Sequence, residues 1–232
     1  MFKKLKEKCC RANIELPRLG LVIYTFGNVS VIDRKLGVFA IKPSGVDYAK
    51  MKPEDMVIVN LEGKVVDGNL RPSTDVNTHL VLYREFPHIG GIVHTHSTYA
   101  VAWAQAQRAV PIYGTTHADH LACDIPCTEP VPDDRVEADY EIETGRCIVE
   151  YFRANKLNPN DVQMVLAAGH GPFAWGVNEE KALYNARILE ELCRIALLTE
   201  RINPQVQRLK ESLIAKHYNR KHGKNAYYGQ KN

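Results

Sequence analysis

Two histidines at the end of one apolar segment are the first residues whose spacing indicates chemistry. The segment GIVHTH, residues 91–96, contains His94 and His96, and β-branched residues precede them. In a strand, side chains at i and i+2 point to the same face, so both imidazoles would face one point. Two metal ligands can use this geometry, but a lone His-x-His pair is more often a surface or hydrogen-bonded pair. The pair therefore needs further ligands before it indicates a metal site.

A third histidine and one carboxylate are candidates for those ligands. His170 lies in AAGHGPFAWG, where a predicted strand gives way to a glycine-flanked turn. Three neutral imidazoles at strand ends can share one ion, and they suit zinc or another late first-row divalent metal. Asp75 lies at the start of a predicted helix and could add a carboxylate. For Asp75 taken alone, a plain helix cap is the favoured interpretation.

The chain also carries residues that could bind an anion. Three short turns combine glycine, small polar residues and one lysine, a set that can surround a phosphate with amides, hydroxyls and a cation. Their residues are Gly27 and Asn28, then Lys42, Ser44 and Gly45, then Ser73 and Thr74. None of the turns is a phosphate-loop fingerprint by itself.

Two further segments hold titratable side chains outside regular elements. GTTHADH contributes Asp119, and the tail sequence NAYYGQ contributes Tyr227 and Tyr228. A Tyr-Tyr pair in a polar, glycine-containing tail normally has a passive role. Docking of this tail at an active site would be the functional exception.

The elements that would position these residues follow from hydrophobic periodicity and turn signals. Helices are predicted over 3–16, 75–86, 98–107, 178–202 and 204–223, and strands within 21–33, 37–45, 55–68, 91–96 and 161–176. The stretch 114–134 is rich in Pro, Asp and Thr and is predicted to be a long irregular loop. Residues 161–176 are predicted to form one strand that leads into a Gly-Pro turn.

These elements predict one α/β domain covering residues 1–232. With 232 residues, 45% of them hydrophobic, the chain can bury one substantial core. Hairpin strands interleaved with helices favour a layered sandwich, with a largely antiparallel or mixed central sheet and helices on both faces. The pattern does not resemble a doubly wound nucleotide-binding fold.

Composition excludes several classes of function. The six cysteines show no disulfide-framework spacing and are expected to be free thiols. No signal peptide and no run of 18 apolar residues is visible, so we expect a cytoplasmic protein that does not bind membranes. The net charge is +3, and residues 201–232 hold eight basic residues and one acidic residue. No aromatic-interleaved basic repeat accompanies that charge, which argues against nucleic acid as a partner.

Taken together, the motifs resemble those of one known family. GNVS, IKPSGVDY, PSTDVNTH, GGIVHTHS, GTTHAD, HGPFAWG and KHYNRKHGKNAYYGQ occur in one order and without large gaps. In this the chain is similar to the epimerases of the class II aldolase/epimerase/adducin-head family. The resemblance implies an α/β homotetramer with one divalent metal, usually zinc, in each active site. It also implies epimerisation of L-ribulose 5-phosphate to D-xylulose 5-phosphate, a step of arabinose or ascorbate catabolism.

The resemblance also implies a role for each candidate residue. The implied metal ligands are Asp75, His94, His96 and His170. The three small turns become the phosphate-binding turns, with Lys42 beside the substrate oxygens at the metal. Asp119 and Tyr228 match the two acid/base residues, His217 and Arg220 match positions near the phosphate end, and the tail, about 223–232, would reach a neighbouring subunit's site.

The implied reaction explains why such an inventory is needed. The carbon to be inverted carries a hydroxyl and has no acidic C–H beside a carbonyl, so the C3–C4 bond must break and form again. A class II sugar-phosphate aldolase is the nearest alternative, although family aldolases place a glutamate near the position of Asp75. A non-enzymatic adducin-head module is disfavoured because all three histidines are present. A metal-dependent decarboxylase or another ketose epimerase remains open.

Overall fold

The computed structural model describes residues 1–223 and 226–227. Within them, seven strands form one sheet in the order β4-β3-β2-β1-β5-β7-β6, and all neighbouring strands are antiparallel. The strands are β1 Asn28–Asp33, β2 Val38–Ile41, β3 Val57–Asn60, β4 Val65–Asp67, β5 Gly91–His94, β6 Met164–Ala167 and β7 Gly171–Gly176. The helices are α1 Lys3–Arg18, α2 Val76–Glu85, α3 Thr98–Gln105, α4 Thr115–Ala118, α5 Asp133–Ala154, α6 Glu179–Ile202 and α7 Glu211–His222, with a short 3-10 helix at Pro53–Asp55.

Helices cover both faces of the sheet, as the sequence predicts. On β7, Trp175 packs against Phe86, after α2, and against Phe152 of α5, with ring centroids 5.3 and 5.4 Å apart. The next residue, Gly176, points the other way, since a Cβ there would lie 2.7 Å from the Lys181 side chain of α6. Successive strand residues face opposite sides, so α2 and α5 cover one face and α6 covers the other. The predicted α/β sandwich is confirmed.

Three short strands, β2 and β5 inside the sheet and β6 at its edge, are buried along their whole length. Every residue of β2, β5 and β6 is buried, which explains their continuous apolar sequences where a half-exposed strand would alternate. Each buried large aliphatic side chain contributes about 1.5–3 kcal/mol relative to exposure. The sheet is therefore a stable platform for side chains at its strand ends.

The region 161–176 departs from the sequence-based prediction. It forms a hairpin of β6 and β7, and the Gly-Pro pair lies inside β7 and not in a turn. The turn comprises residues 168–170 and includes Gly169, whose φ of +71° is in the left-handed region that favours glycine. His170 is thus the last residue of a tight turn and is held by strands on both sides.

The predicted loop over 114–134 is also partly wrong. It contains α4 and the beginning of α5, a 22-residue helix that the sequence analysis missed. Pro132 at the N-cap position, followed by Asp133 and Asp134, is a helix-start signal in a segment whose composition otherwise indicates a loop. The helix is interrupted at Asp139, whose carboxylate accepts a hydrogen bond from the Ile142 amide at 3.0 Å and so caps the second half.

The last helix begins later than predicted. Residues 204–210 precede α7, which starts at Glu211. The Leu209 amide donates to the Ile112 carbonyl at 2.8 Å, and Arg208 bonds Asp124 at 3.0 Å. These tertiary contacts hold the segment away from helical geometry. Nowhere in the described part of the chain is a helix both long and apolar enough to cross a bilayer.

The side chain of Asn13 connects α1 to the central strand. It is fully buried, its Oδ1 accepts from the Val29 amide at 2.7 Å, and its Nδ2 donates to the Val29 carbonyl at 3.0 Å. Its amide thus bonds the β1 backbone as a neighbouring strand would, just beyond the residues that pair with β2.

We predict that Asn13→Ala lowers the free energy of unfolding by about 2–3 kcal/mol, because it leaves a buried backbone amide without its acceptor. Urea denaturation followed by circular dichroism measures the change. Arg11→Ala, at an exposed position on the same helix, should shift it by less than about 0.5 kcal/mol. Equal effects of the two substitutions would contradict the role given to Asn13.

Candidate functional site

Three histidines converge at one end of the sheet. His94 ends β5, His96 lies two residues later, and His170 ends the β6–β7 turn. The Nε2 atoms of His94 and His96 are 3.2 Å apart, and one ring nitrogen of each histidine lies within 4.8 Å of the other two. The predicted convergence of the three imidazoles is present, although His96 lies just outside the strand.

The hydrogen bonding of His94 prepares it to bind a metal. Its Nδ1 is 3.0 Å from the Pro172 carbonyl, which can only accept, so Nδ1 carries the proton and Nε2 presents a lone pair toward the other histidines. Two ligands of a tetrahedral zinc ion at 2.0–2.1 Å stand about 3.3 Å apart. The observed spacing of the His94 and His96 nitrogens therefore fits a shared ion.

Burial keeps two of the three imidazoles neutral at physiological pH. It lowers the pKa of His170 to about 3, and burial together with His94 lowers the pKa of His96. A neutral imidazole is the form that binds a metal. His96 and His170 therefore do not have to release a proton before they can bind an ion.

Asp75 is the fourth candidate ligand, and it is not a plain helix cap. Among the described residues, its carboxylate bonds no amide of α2. Oδ2 accepts from the Asn28 amide at 2.8 Å, and Oδ1 lies 3.9 Å from the Nε2 atoms of both His94 and His170. Burial alone would raise the pKa of Asp75, but the adjacent histidines and the Asn28 amide hold it below its ordinary value. The carboxylate is thus ionised and faces the histidines.

The three small turns meet beside these histidines around a cavity of about 430 Å³. The Ser73 amide donates to the Lys42 carbonyl, and the Ser44 amide donates to the Arg71 carbonyl, both at 2.9 Å, so the second and third turns are bonded to each other. Predicted site residues that line the cavity are Gly27, Lys42, Ser44, Gly45, Ser73, Thr74, Asp75, His96 and His170. Asn28 lies behind this wall, where its side-chain amide donates to Ser73 and Asp75.

Gly27 is required where the first turn meets β5. Its φ is +78°, and a Cβ there would lie 2.9 Å from the His94 carbonyl oxygen. Any larger residue would clash with the end of β5, the strand that carries His94. The glycine therefore lets the turn approach the histidines closely.

Lys42 supplies a buried cation to the same wall. The side chain is only 2% exposed, Nζ donates to the Thr25 carbonyl at 3.0 Å, and it lies 4.8 Å from the centre of the Tyr48 ring. Burial lowers the pKa of Lys42 to about 8. At neutral pH the ammonium is charged and has few water molecules to compete with an anionic ligand.

Tyr140 and Glu141 also line the cavity, and the sequence analysis missed both. They start the second half of α5, just after the interruption at Asp139, and the Tyr140 ring lies 5.6 Å from the His170 ring. The signal that could have found them is the amphipathic pattern of DYEIETGRCIVEYF, which predicts a helix starting near this tyrosine.

Asp119 lies in a different cluster. Its carboxylate accepts from Arg220 at 2.6 and 2.9 Å and from His217 at 3.1 Å, which joins α4 to α7. Burial alone would raise the pKa of Asp119, but the Arg220 and His217 hydrogen bonds hold it below its ordinary value. None of these three residues belongs to the described lining of the cavity. Tyr228, the other predicted acid/base residue, lies outside the described residues.

Several known proteins are similar to this chain in sequence and in fold. Residues 7–197 match the sequence profile of the family described as Class II Aldolase and Adducin N-terminal domain. The chain is 50% identical to L-ribulose-5-phosphate 4-epimerase UlaF of Salmonella paratyphi B, over 99% of this chain and 100% of that protein. A solved L-fuculose 1-phosphate aldolase superposes with a TM-score of 0.76 at 26% identity, over 92% of this chain and 95% of the other. The solved L-fuculose-1-phosphate aldolase of Thermus thermophilus superposes with a TM-score of 0.65 at 27% sequence identity, over 87% of this chain and 97% of the other.

We predict that His170→Ala weakens zinc binding by more than about 100-fold, because loss of a direct ligand exceeds the 10- to 100-fold effect of its outer partners. Competition with a chromophoric chelator measures the affinity. His88→Ala, an exposed position between α2 and β5, is the control and should bind zinc as the unaltered protein does. Retention of full affinity by His170→Ala would exclude the triad as the metal site.

Proposed function

This chain belongs to the class II aldolase and adducin N-terminal domain family, and we propose that it is a metal-dependent enzyme that epimerises L-ribulose 5-phosphate to D-xylulose 5-phosphate. The observation that carries the proposal is the 50% identity, along the whole chain, to a relative named for that reaction. The cavity supports it, since one wall holds His96 and His170, beside the buried His94, and the other holds the small polar turns.

The proposed substrate fits the two walls of the cavity. A phosphate dianion would lie against Ser44, Gly45, Ser73 and Thr74, where hydroxyls and amides can donate to its oxygens. The Lys42 ammonium adds a positive charge in the same wall. The ketose oxygens at the other end of the substrate would then face the histidines.

The proposed cofactor is Zn²⁺, although other divalent first-row ions suit the same ligands. His94, His96 and His170, with the Asp75 carboxylate, would hold it. When bound, the ion would supply Lewis-acid stabilisation of negative charge on substrate oxygens. The support from this chain is its donor set, in which the neutral imidazoles of His96 and His170 and the ionised Asp75 carboxylate lie beside His94.

The phosphate-binding wall explains how a bond can break without release of product. Cleavage of C3–C4 leaves the bonding electrons on C3 and makes C4 an aldehyde, while the C4 hydroxyl gives up its proton. The aldehyde fragment keeps the phosphate, so the turns around Ser44 and Ser73 would retain it while its carbonyl rotates. Re-addition of C3 to the opposite face and return of the proton complete the inversion.

Asp119 and Tyr228 remain the proposed proton-handling residues, and this proposal requires more than one subunit. Asp119 lies at the α4–α7 junction, away from the cavity lining of its own chain, so a neighbouring copy would have to bring it to the substrate. The exposed apolar side chains of Ile23, Tyr24 and Phe26 lie beside the cavity and could form such an interface. We therefore propose a homotetramer in which the tail, about 223–232, serves a neighbouring site, with His217 and Arg220 near the substrate phosphate.

The proposed location is the cytoplasm. All six cysteines, each within the described residues, are free thiols, which suits a reducing compartment. The proposed partners are a phosphorylated ketopentose and further copies of the chain, without nucleic acid or membrane. A role in pentose or ascorbate catabolism would follow from the substrate.

We predict that the purified protein converts L-ribulose 5-phosphate to D-xylulose 5-phosphate, that chelation abolishes turnover and that zinc restores it. Coupled assays should follow xylulose phosphate and free glycolaldehyde phosphate in the same reaction. Release of the free aldehyde in amounts equal to substrate consumed would identify an aldolase instead. Failure to bind any divalent metal would favour a non-enzymatic binding module.

The buried Lys42 leads to a prediction about pH. Because its pKa is about 8, the ammonium is charged below that pH and loses its charge as the pH rises through it. The phosphate stays a dianion throughout this range, since its second pKa is about 6. We expect kcat/KM for the phosphorylated ketose to fall above pH 8 by about tenfold per pH unit.

Lys42→Met provides the matched comparison, since it keeps the length and burial of the side chain. At pH 7 we expect kcat/KM to fall about 10- to 100-fold, the equivalent of a charge-assisted hydrogen bond of about 1.5–3 kcal/mol. The alkaline decline should be absent in this variant. Its persistence would assign that decline to another group.

A further inference from the structure

Helix α2 is bonded to strand β1 by side chains that repeat along both elements. Asp75, His79 and Tyr83 are spaced by four residues and so lie on one face of the helix. Asn28 and Ser30 are spaced by two and lie on one face of the strand. Asn28 bonds Asp75 at 2.8 Å, and Ser30 bonds both His79 and Tyr83, at 2.6 and 2.8 Å. We call these five side chains the α2–β1 ladder.

The two spacings match, so each contact reinforces the next. Four helical residues span about 6 Å and two strand residues span about 6.7 Å. Ser30, His79 and Tyr83 are fully buried, and Asn28 is 1% exposed. A shift of the helix along the strand would break several buried hydrogen bonds at once, each costly to leave unmade.

The hydrogens in the ladder can be arranged in one economical way. Ser30 has a single hydroxyl proton, which it donates to His79 Nδ1 while accepting from the Tyr83 hydroxyl. In that arrangement the Nε2–H of His79 is the only ladder hydrogen without an acceptor among the described residues, and Asn28 Oδ1 is a ladder acceptor without a donor. In the reverse arrangement His79 Nδ1–H would donate to Ser30 and Ser30 would donate to Tyr83. Two groups of these three residues would then be unpaired, the Tyr83 hydroxyl proton and the His79 Nε2 lone pair. The ladder thus has a defined direction, with Tyr83 as donor at its far end.

The ladder ends at the candidate metal site. Asn28 is paired with His94 across β1 and β5, so the residue that bonds Asp75 is also the one opposite a metal ligand. Asp75 precedes the first residue of α2 and moves with that helix. Its Oδ1 lies 3.9 Å from the Nε2 atoms of His94 and His170. This distance depends on the position of α2 along β1.

We propose that Ser30, His79 and Tyr83 are positioning residues that hold the Asp75 carboxylate at the three histidines. They lie outside the cavity and touch neither substrate nor cofactor in the proposed function. Their effect passes through the helix to Asp75. This inference rests on the proposed metal-binding role of the site and adds the part of the core that determines its geometry.

The test compares zinc affinity with stability in variants of the full chain. Tyr83→Phe removes one hydroxyl and keeps the ring. Ser30→Ala removes the two hydrogen bonds that Ser30 makes to α2, with His79 and with Tyr83. We expect zinc affinity to fall about 3-fold in Tyr83→Phe and about 10-fold in Ser30→Ala. The second value is the lower limit of the 10- to 100-fold loss that is typical for residues that bond a metal ligand. Chelator competition measures the affinity, and thermal unfolding of the metal-free protein measures stability. Tyr113→Phe, which removes the hydroxyl bonded to Glu200 at 2.7 Å, is the chemical control and should keep full affinity.

A double substitution shows whether the effect passes through Asp75. If it does, Ser30→Ala should weaken zinc binding no further in a chain that already carries Asp75→Asn, because coupled residues are not additive. Additive losses would overturn the proposal, as would lower stability of the metal-free variants with unchanged zinc affinity. If Ser30→Ala does not fold, the comparison rests on Tyr83→Phe. Absence of zinc binding by the unaltered protein would overturn both this inference and the proposed metal function, whereas binding that the variants retain would overturn this inference alone.

Discussion

The antiparallel pairing of β1 with β5 places Asn28 directly opposite His94, and the candidate site is arranged around that pair. From Asn28, one side-chain amide reaches both Asp75 and Ser73, so the candidate metal site and one of the small polar turns share a single donor. From His94, where β5 ends, the chain continues to His96, and β7 pairs alongside β5. A register shift of one residue would move these side chains to the other face of the sheet. The site therefore depends on strand register more than on any loop.

Several polar groups of the site are buried, and each needs a hydrogen-bond partner to offset the free energy lost on leaving water. His94 is fully buried, yet its Nδ1–H has the Pro172 carbonyl as acceptor, which directs its free lone pair toward the other histidines. Lys42 is nearly inaccessible to water but donates to the Thr25 carbonyl. An unpaired buried polar group costs about 1–3 kcal/mol. The cavity is thus lined by groups that are already oriented and desolvated before a ligand enters.

The chain carries two separate sets of chemical residues. The histidines and small turns lie at the ends of strands β1, β2, β5 and β6, in the adjoining turns and just before α2. Asp119 lies elsewhere, with His217 and Arg220, where α4 meets α7. A small apolar cluster of Ile112, Ala118 and Ile214 attaches that second region to the domain, apart from the main core. The physical separation of the two sets is what makes an assembly of several copies part of the proposed function.

Much of this arrangement follows from the sequence alone. The His-x-His pair, the third histidine beside glycine and the three small turns are local patterns with a local physical reason, and they predicted the convergence of the three imidazoles and most of the cavity wall. Asp75 shows where local reasoning fails, because an aspartate directly before a helix is predicted to be a helix cap. Its contact with Asn28, 47 positions earlier in the chain, is what directs its carboxylate to the histidines. Helix α5 was missed because Pro and Asp favour both loops and helix starts, so Tyr140 and Glu141 were missed with it. The second half of α5 does carry a local amphipathic pattern. The placement of Tyr140 and Glu141 at the cavity and the direction of the Asp75 carboxylate were decided by the tertiary structure, because both depend on packing between segments distant in the chain.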